Sequence, residues 1–547
     1  MLKGLMMDRP LSIASIIDYA AEVHPRGEIV SATIEGGLHR YTYADAHRRI
    51  AQAAQALLDM GVRPGDRVAT LAMNGYRHFE LYYAISGIGA VCHTINPRLA
   101  PDQLAYIVNH ASDRILFFDT PFAPLIAKMR AHFPASLRYV ALTDPAHAPT
   151  IEGAEVGVYD DLLAGRAETF AWPELDENTA SALCYTSGTT GEPKGVLYSH
   201  RSTVLQALSI AICSARSLGL GKRILPVVPL FHVNAWCLPY SAPLTGASLV
   251  MPGIKLDGPS LFDLMDSEGV HNAWGVPTVW LGLLAEMRAR GRKPRALEIM
   301  TIGGSAAPKA LIAAFEREFG IEAAHGWGMT EMSPVGTMGV LEPEMEALPF
   351  EERVQLKSYQ GRRIFNVDMR IVDESGAPLP WDGQALGELV VRGPCVASAY
   401  FDNPEASARA VDAEGWFHTG DVAKITPEGV LIIVDRAKDL VKSGGEWISS
   451  IDLENAAMAC PGVAQCAVIA VPDPKWDERP MLIVVKAAGA TPAKEDILGF
   501  LATKVAKWQV PDAVVFVDAL PMTATGKVSK LELRKAFTEE KLPAAAV

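Results

Sequence analysis

One loop constrains this chain more than any other stretch. The apolar run from Ala180 to Cys184 predicts a strand, which ends directly in residues 185–196, reading YTSGTTGEPKGV. Glycines allow backbone N–H groups to face a ligand, and four hydroxyls with one lysine add donors for phosphate oxygens. The common P-loop requires Gly-Lys followed by Ser or Thr, whereas Lys194 precedes Gly195. From the residues alone, the loop is either a mobile surface turn or a phosphate-binding loop of another kind.

Length and composition limit the class of protein. A chain of 547 residues is too long for one hydrophobic core, so two or more domains are expected. Hydrophobic residues make up 49% and charged residues 21% of the chain, as in ordinary globular proteins. A net charge of −13 argues against nucleic-acid binding, which needs a basic face. The seven cysteines contain no Cys-x-x-Cys pair, which favours free thiols in a reducing compartment and predicts a cytoplasmic protein.

The sequence predicts neither a signal peptide nor a transmembrane segment. The N-terminal residues include Lys3, Asp8 and Arg9 without an apolar segment behind them, so no signal peptide is expected. The longest uncharged run, residues 225–254, contains five prolines. A lipid-exposed helix does not tolerate these, so we interpret the run as buried interior and predict no transmembrane segment.

The first third of the chain alternates helical and strand patterns. Thr42 with Asp45 predicts the start of a helix. Residues 68–73 predict a buried strand, residues 82–91 a helix of small residues, and residues 114–118 another strand. This alternation is typical of an open α/β sheet with crossover helices.

The loop at residues 185–196 resembles the AMP-binding signature of the acyl-adenylate-forming superfamily, which includes acyl-CoA synthetases, luciferases and peptide-synthetase adenylation domains. Further stretches resemble this superfamily along nearly the whole chain. They are PLFHVNAW at 229–236, TIGGSAAP at 301–308, HGWGMTE at 325–331, WFHTGD at 416–421, DRAKD at 435–439, KSGGEWISS at 442–450 and PMTATGKV at 521–528. The resemblance implies that a carboxylate and ATP form acyl-AMP and pyrophosphate, after which a nucleophile displaces AMP.

The resemblance also implies a nucleotide site. Lys527, Thr186 and Glu331 are the expected catalytic residues, and Thr186 and Glu331 are expected to bind Mg²⁺, which prefers hard oxygen ligands. Asp421 is expected to accept both ribose hydroxyls, which two carboxylate oxygens can do. The expected ATP and AMP ligands are Thr186, Ser187, Gly188, Thr189, Thr190, Gly191, Lys194, Gly304, Ser305, His325, Gly326, Trp327, Gly328, Met329, Thr330, Glu331, Asp421, Arg436 and Lys527.

The same resemblance implies which residues bind the acid, which residue is the hinge and which residues bind CoA. A lone histidine beside apolar residues is more often a core residue, and His232 acquires a role only from the match at 229–236. Trp236 is expected to gate an acyl tunnel, and Lys438 to be a hinge. The acyl pocket is expected to be His232, Trp236, Gly303 and Gly326, and the CoA-binding residues Lys442, Gly444, Gly445 and Trp447.

The expected architecture is α/β. It comprises a large N-terminal domain, residues 1–434, of stacked α/β sheets with a β-rich subdomain, and a small mobile α+β domain, residues 435–547. The resemblance implies an AMP-forming acid–CoA ligase that uses ATP, CoA and a medium- or long-chain fatty acid. The alternative is a 3-methylmercaptopropionate–CoA ligase, and a luciferase-like oxygenase is a remote one. Relatives are often homodimers, so a homodimer is expected.

Overall fold

The protein is a mixed α/β protein with three sheets among the residues described. A computed structural model describes residues 2, 4–186, 192–444, 446–523 and 527–537. Two large sheets belong to the N-terminal part and a smaller sheet to the C-terminal part. The predicted fold class is therefore confirmed.

The first large sheet has seven strands. Its strands are parallel apart from Gly195–Ser199, which runs antiparallel to Ala180–Tyr185. The connecting loop at this edge is the glycine-rich stretch of the sequence analysis. In spatial order the strands are Val156–Val158, Arg138–Ala141, Ile115–Phe118, Arg67–Leu71, Val91–Thr94, Ala180–Tyr185 and Gly195–Ser199.

The second large sheet has thirteen strands and joins an antiparallel half to a largely parallel half. The strand Glu322–Gly328 is the junction, since it is parallel to Ile299–Ile302 and antiparallel to Val335–Met338. In spatial order the strands are Asp368–Val372, Gly387–Arg392, Phe417–Ile425, Val430–Arg436, Gly361–Arg363, Val335–Met338, Glu322–Gly328, Ile299–Ile302, Asn272–Gly275, Arg223–Pro226, Ser248–Met251, Glu28–Ala32 and Leu38–Thr42.

The C-terminal sheet has five strands and carries its own small hydrophobic core. Val468, Leu482 and Val484 lie at the centre of that core and are fully buried. The strands are Glu446–Ile448, Val441–Ser443, Asp477–Lys486 and Val463–Asp473, with Ala513–Phe516 paired to Asp477–Lys486.

Helices cover the sheets and connect their strands. The α-helices are Ala14–Val23, Tyr43–Asp59, Tyr76–Gly87, Pro101–Ala111, Ala123–Met129, Tyr159–Leu163, His200–Cys213, Leu238–Thr245, Gly258–Glu268, Pro277–Arg290, Lys309–Phe319, Pro343–Glu346, Phe350–Ser358, Pro404–Ala410, Ser450–Met458, Lys494–Leu501 and Lys530–Phe537. Within the residues described, no helix combines the length and apolarity needed to cross a bilayer.

One helix lies wholly inside the N-terminal part. Every residue of Tyr76–Gly87 is buried, and one continuous core cluster contains residues from both large sheets. Its buried charges are paired, because Arg77 contacts Asp160 and Glu80 contacts Arg49.

The predicted helix at residues 82–91 is wrong in its bounds, because the helix of the structure is Tyr76–Gly87. Small residues continue past Gly87, but residues from Val91 onward join a strand.

The predicted domain boundary falls inside a strand. The strand Val430–Arg436 extends past position 434, and Arg436 pairs with Asp421 on the neighbouring strand. A turn follows, closed by the Asp439 N–H, which donates to the Arg436 carbonyl at 2.8 Å. Lys438 lies in this turn, where the chain leaves the large sheet for the C-terminal part.

Candidate active site

A cleft of about 1410 Å³ collects residues from both parts of the chain. Its lining contains most of the residues predicted from the sequence. They are Thr186, Lys194, His232, Trp236, Gly303, Gly304, Ser305, His325, Gly326, Trp327, Gly328, Met329, Thr330, Glu331, Asp421, Arg436, Lys438 and Lys527. The remaining loop predictions lie outside the described residues, namely Ser187, Gly188, Thr189, Thr190, Gly191 and Gly445.

The predicted CoA residues form a separate hairpin. Lys442 and Trp447 face each other across the strands Val441–Ser443 and Glu446–Ile448, with the Lys442 ammonium 4.9 Å from the Trp447 ring centre. Gly444 has φ of +63°, and a Cβ there would lie 2.8 Å from the Trp476 ring, so the turn requires glycine. Neither Lys442, Gly444 nor Trp447 is among the residues that line the cleft.

The glycine-rich loop is closed at its base by backbone pairing. The Thr186 N–H donates to the Lys194 carbonyl at 2.8 Å, and the Lys194 N–H donates to Thr186 Oγ1 at 3.4 Å. This pairing continues the antiparallel ladder of the flanking strands. The side chains of Thr186 and Lys194 therefore both stand at the mouth of the loop, on the wall of the cleft.

Glu331 sits on a single 3₁₀ turn, Thr330–Met332, that is fixed from three directions. The Tyr198 hydroxyl donates to the Thr330 carbonyl at 2.6 Å, and the Ala397 N–H donates to the Glu331 carbonyl at 2.7 Å. The Tyr400 hydroxyl donates to Glu331 Oε1 at 2.7 Å. Burial raises the pKa of Glu331, and the Tyr400 hydrogen bond opposes this rise.

Asp421 is 2% exposed and already has two protein partners. The Trp327 indole N–H donates to Asp421 Oδ2 at 2.9 Å, and Arg436 Nε lies 2.6 Å from Oδ1. Burial raises the pKa of Asp421, and the positive charge of Arg436 lowers it. A carboxylate has further lone pairs on each oxygen, so these contacts orient the group and leave acceptor capacity for hydroxyls.

Trp236 projects from an unusual backbone turn. Residues 233–237 all have positive φ, between 47° and 65°, which makes this segment a left-handed turn. The left-handed conformation costs a residue other than glycine roughly 1–2 kcal/mol. Asn234 helps to hold the turn, because its Oδ1 accepts from the Tyr82 hydroxyl at 3.2 Å.

Gly303 and Gly304 leave room for the Trp236 ring. A Cβ on Gly303 would lie 2.8 Å from Trp236 Cη2, so a larger residue would displace the indole. The ring also packs edge-to-face on Trp274, with centres 6.3 Å apart. Beside it, burial and the nearby charge of Lys527 lower the pKa of His232 to about 3, so that imidazole is neutral.

Lys527 reaches the cleft from the C-terminal part. A Cβ on Gly304 would lie 3.8 Å from Lys527 Cε, so the lysine lies against the strand-to-helix turn of the N-terminal part. Desolvation, followed by the charge of Arg436, lowers the pKa of Lys527 to about 8. Asp421 and Glu331 oppose this shift. The cleft thus joins one lysine to two buried carboxylates.

The oxygen ligands in the cleft fit Mg²⁺ bound together with a polyphosphate. Thr186 and Glu331 contribute one hydroxyl and one buried carboxylate to the lining of the cleft. Within the described ranges, no group of three or more His, Cys, Asp or Glu side chains could hold a metal alone. Magnesium commonly takes one or two carboxylates and completes its shell with water and phosphate oxygens.

Sequence reasoning missed Tyr400. Its hydroxyl contacts Glu331, and the Lys194 ammonium lies 4.8 Å from its ring centre. The contact to Glu331 spans 69 residues, and no spacing rule links positions so far apart.

Comparison with known proteins gives a consistent result. The family model "AMP-binding enzyme" matches residues 17–401, and "AMP-binding enzyme C-terminal domain" matches residues 452–527. A 3-methylmercaptopropionyl-CoA ligase from Ruegeria lacuscaerulensis is 49% identical over 539 residues, covering 98% of this chain and 99% of that protein. A medium-chain-fatty-acid–CoA ligase from Ectopseudomonas oleovorans is 45% identical, covering 98% of this chain and 97% of that protein.

A solved structure shares the complete architecture. The anthranilate CoA ligase AuaEII in complex with anthranoyl-AMP superposes with a TM-score of 0.85 at 25% identity, covering 97% of this chain and 98% of that one. The family models, the two relatives and this structure agree on one family and one fold. The chain is an enzyme that belongs to the AMP-binding family.

Proposed function

We propose that the protein is an AMP-forming acid–CoA ligase that activates a medium- or long-chain fatty acid through an acyl-AMP intermediate. One observation carries the proposal. Lys527, from the C-terminal part, lies in the same cleft as Thr186, Glu331 and Asp421 from the N-terminal part. A lysine that shares a cleft with two protein carboxylates and with the base of a candidate phosphate-binding loop suits a reaction that builds charge on phosphate oxygens.

The residues divide the work of adenylation. Asp421, oriented by Trp327 and Arg436, would accept the ribose hydroxyls and fix the nucleotide. Thr186 and Lys194 would hold the phosphates, and Lys527 would bridge the acid carboxylate and the α-phosphate. In-line attack by the carboxylate on the α-phosphorus forms the acyl–phosphate bond and releases pyrophosphate. Catalysis here depends on positioning and charge stabilisation, because no protein nucleophile is required.

Glu331 and Thr186 would hold magnesium with ATP. When bound, Mg²⁺ supplies positive charge to the phosphate oxygens. The protein's contribution is to fix the carboxylate of Glu331 through the turn at residues 330–332 and the Tyr400 hydroxyl. The backbone of Thr186 is fixed by pairing with Lys194, and its hydroxyl accepts from the Lys194 N–H at 3.4 Å.

The second step needs a different surface. The CoA thiolate would attack the acyl carbonyl of acyl-AMP, forming the thioester bond and releasing AMP. The predicted CoA hairpin with Lys442 and Trp447 stands outside the cleft that contains Lys527. We therefore propose that the C-terminal part rotates about Lys438 between steps, exchanging Lys527 for the hairpin.

The apolar wall of the cleft supports a neutral acyl chain. The lining includes the apolar residues Trp236, Trp274, Leu281, Val335 and Met338. His232 is neutral at physiological pH, and the match at residues 229–236 lacks the carboxylate that would pair with an amino-acid ammonium. We expect a homodimer in the cytoplasm, where the seven free thiols would stay reduced.

A second candidate acid is 3-methylmercaptopropionate. The observation that favours it is the 49% identity to a ligase named for this acid, against 45% for the medium-chain enzyme. The test is AMP release with CoA and acids from propionate to stearate. Pentanoate is the matched control because it replaces the sulfur by a methylene. A clear preference for the sulfur acid over pentanoate would select the second candidate.

Trp236→Ala should change which chain lengths are used. Removing the indole opens the space between Trp274 and Gly303, so longer acids should gain relative to shorter ones. KM should rise for acids more than for ATP, because the ring contacts the acyl end of the cleft. Trp236→Phe should give an intermediate profile. If the chain-length profile stays the same in both variants, Trp236 is a packing residue and not a gate.

Lys527 also predicts a pH dependence. Its pKa is lowered to about 8, so the ammonium is present below this pH and lost above it. The kcat/KM for acyl-AMP formation should therefore decline as pH rises through about 8. The arginine of Lys527→Arg stays protonated throughout. The pH profile of this variant should therefore lack the decline, although its overall rate should be lower than that of the wild type. An identical alkaline decline in both proteins would assign it to another group.

A further inference from the structure

Tyr400 connects the two charged groups that flank the expected triphosphate position. Its side chain is buried at 8% exposure, and its hydroxyl donates to Glu331 Oε1 at 2.7 Å. The Lys194 ammonium lies 4.8 Å from the centre of the same ring. Tyr400 thus contacts Glu331, the candidate magnesium ligand, through its hydroxyl. It contacts Lys194, the candidate phosphate-binding residue, through the face of its ring.

Backbone and ring contacts fix the position of Tyr400. The Tyr400 N–H donates to Ser407 Oγ at 2.9 Å, and its ring packs edge-to-face on Phe417 with centres 6.2 Å apart. The next residue, Phe401, donates its N–H to the Gly195 carbonyl at 2.8 Å, directly after Lys194. The tyrosine therefore has a fixed position relative to the loop that carries Lys194.

We propose that Tyr400 is a positioning residue that aims Glu331 and Lys194 at Mg·ATP. The proposal rests on the proposed function, because it assumes that Glu331 and Lys194 bind magnesium and phosphate. It adds a residue that the sequence motifs do not contain.

The two halves of the side chain have separate tasks. With Oε1 of Glu331 held by the hydroxyl, Oε2 is the oxygen left to bind a cation, and rotation of the carboxylate is restricted. Residues that hydrogen-bond to metal ligands commonly change metal affinity or activity by about 10–100-fold when removed. The negative face of the ring attracts the Lys194 ammonium, and this contact survives without the hydroxyl.

Tyr400→Phe tests the hydroxyl. The variant is nearly isosteric, so it should fold, and far-UV circular dichroism checks this. We expect the Mg²⁺ concentration that half-saturates ATP binding to rise about tenfold. The readout is calorimetric binding of ATP without acid, at several Mg²⁺ concentrations, so that no turnover is needed. ATP binding at saturating Mg²⁺ should change less than twofold, since the ring still faces Lys194.

Tyr400→Leu tests the ring. This variant loses both contacts, so ATP affinity at saturating Mg²⁺ should fall about threefold to tenfold below that of Tyr400→Phe. Tyr159→Phe is the matched control, because the Tyr159 hydroxyl donates to the buried carboxylate of Glu80 at 2.9 Å, in the N-terminal core. The control should lose a similar hydrogen bond and leave Mg²⁺ dependence unchanged.

The outcomes separate this inference from the proposed function. If wild-type protein binds ATP with Mg²⁺ but Tyr400→Phe matches Tyr159→Phe in Mg²⁺ dependence, Tyr400 is structural and the inference is wrong. If wild-type protein shows no Mg²⁺-dependent ATP binding, the proposed function and the inference both fail. A tenfold shift confined to Tyr400→Phe and Tyr400→Leu supports the inference.

Discussion

Lys527→Ala should abolish acyl-AMP formation while sparing thioester formation from supplied acyl-AMP. The lysine lies against Gly304 in the cleft and is the cation expected between carboxylate and α-phosphate. Removing one group that stabilises transition-state charge costs about a hundred- to a thousandfold in rate. Pyrophosphate release without CoA measures the first step, and acyl-CoA formation from synthetic acyl-AMP measures the second.

The control for this prediction is Lys535→Ala, an exposed lysine on the last helix described, Lys530–Phe537. It should leave both steps unchanged. Equal loss of both steps in folded Lys527→Ala would contradict the proposed division of labour, because it would place the lysine in one fixed site that serves both reactions.

Glu331→Gln should reduce adenylation about 10–100-fold and make it dependent on high Mg²⁺. The substitution keeps the shape of the side chain and removes the charge from a buried metal position. The amide can still accept from Tyr400, so the turn at residues 330–332 should stay in place. Pyrophosphate release at increasing Mg²⁺ measures the change, and partial recovery at high concentration is the expected signature.

Glu80→Gln provides the comparison for Glu331→Gln. Glu80 is also buried and also accepts a hydrogen bond from a tyrosine, but it pairs with Arg49 in the N-terminal core. This variant should lose stability without any change in Mg²⁺ dependence. If the two variants respond to magnesium alike, Glu331 does not bind the metal.

The motif residues were predictable because short-range chemistry defines them. The strand Ala180–Tyr185 and the Thr42–Asp45 capping box are both local patterns that the structure contains. Family resemblance then selected residues far apart in sequence that line one cleft. The fold class followed from the alternation of strands and helices along the first third of the chain.

Other features depend on tertiary packing and could not be predicted. The left-handed turn at residues 233–237 is unfavourable for each residue locally and exists only with surrounding support such as Tyr82 on Asn234. The helix Tyr76–Gly87 begins earlier than its small residues indicate, because it can bury Arg77 and Glu80 through distant ion pairs. No local pattern records those partners.

Side-chain contacts across the cleft form the third class. Asp421 was expected to accept both ribose hydroxyls, and the contacts of Trp327 and Arg436 with its two oxygens were not predicted. Tyr400 was absent from the prediction altogether. In each case the partner lies on another strand or loop, so only the assembled sheet brings the groups together.

We propose that this enzyme forms acyl-AMP in its cleft before CoA takes part. Exchange of labelled pyrophosphate into ATP, measured without CoA and with each acid in turn, tests it most directly. We expect exchange that requires both the acid and Mg²⁺, is strongest for medium- or long-chain fatty acids and is lost in Lys527→Ala. Exchange that is absent until CoA is added, or that proceeds equally well without any acid, would contradict it.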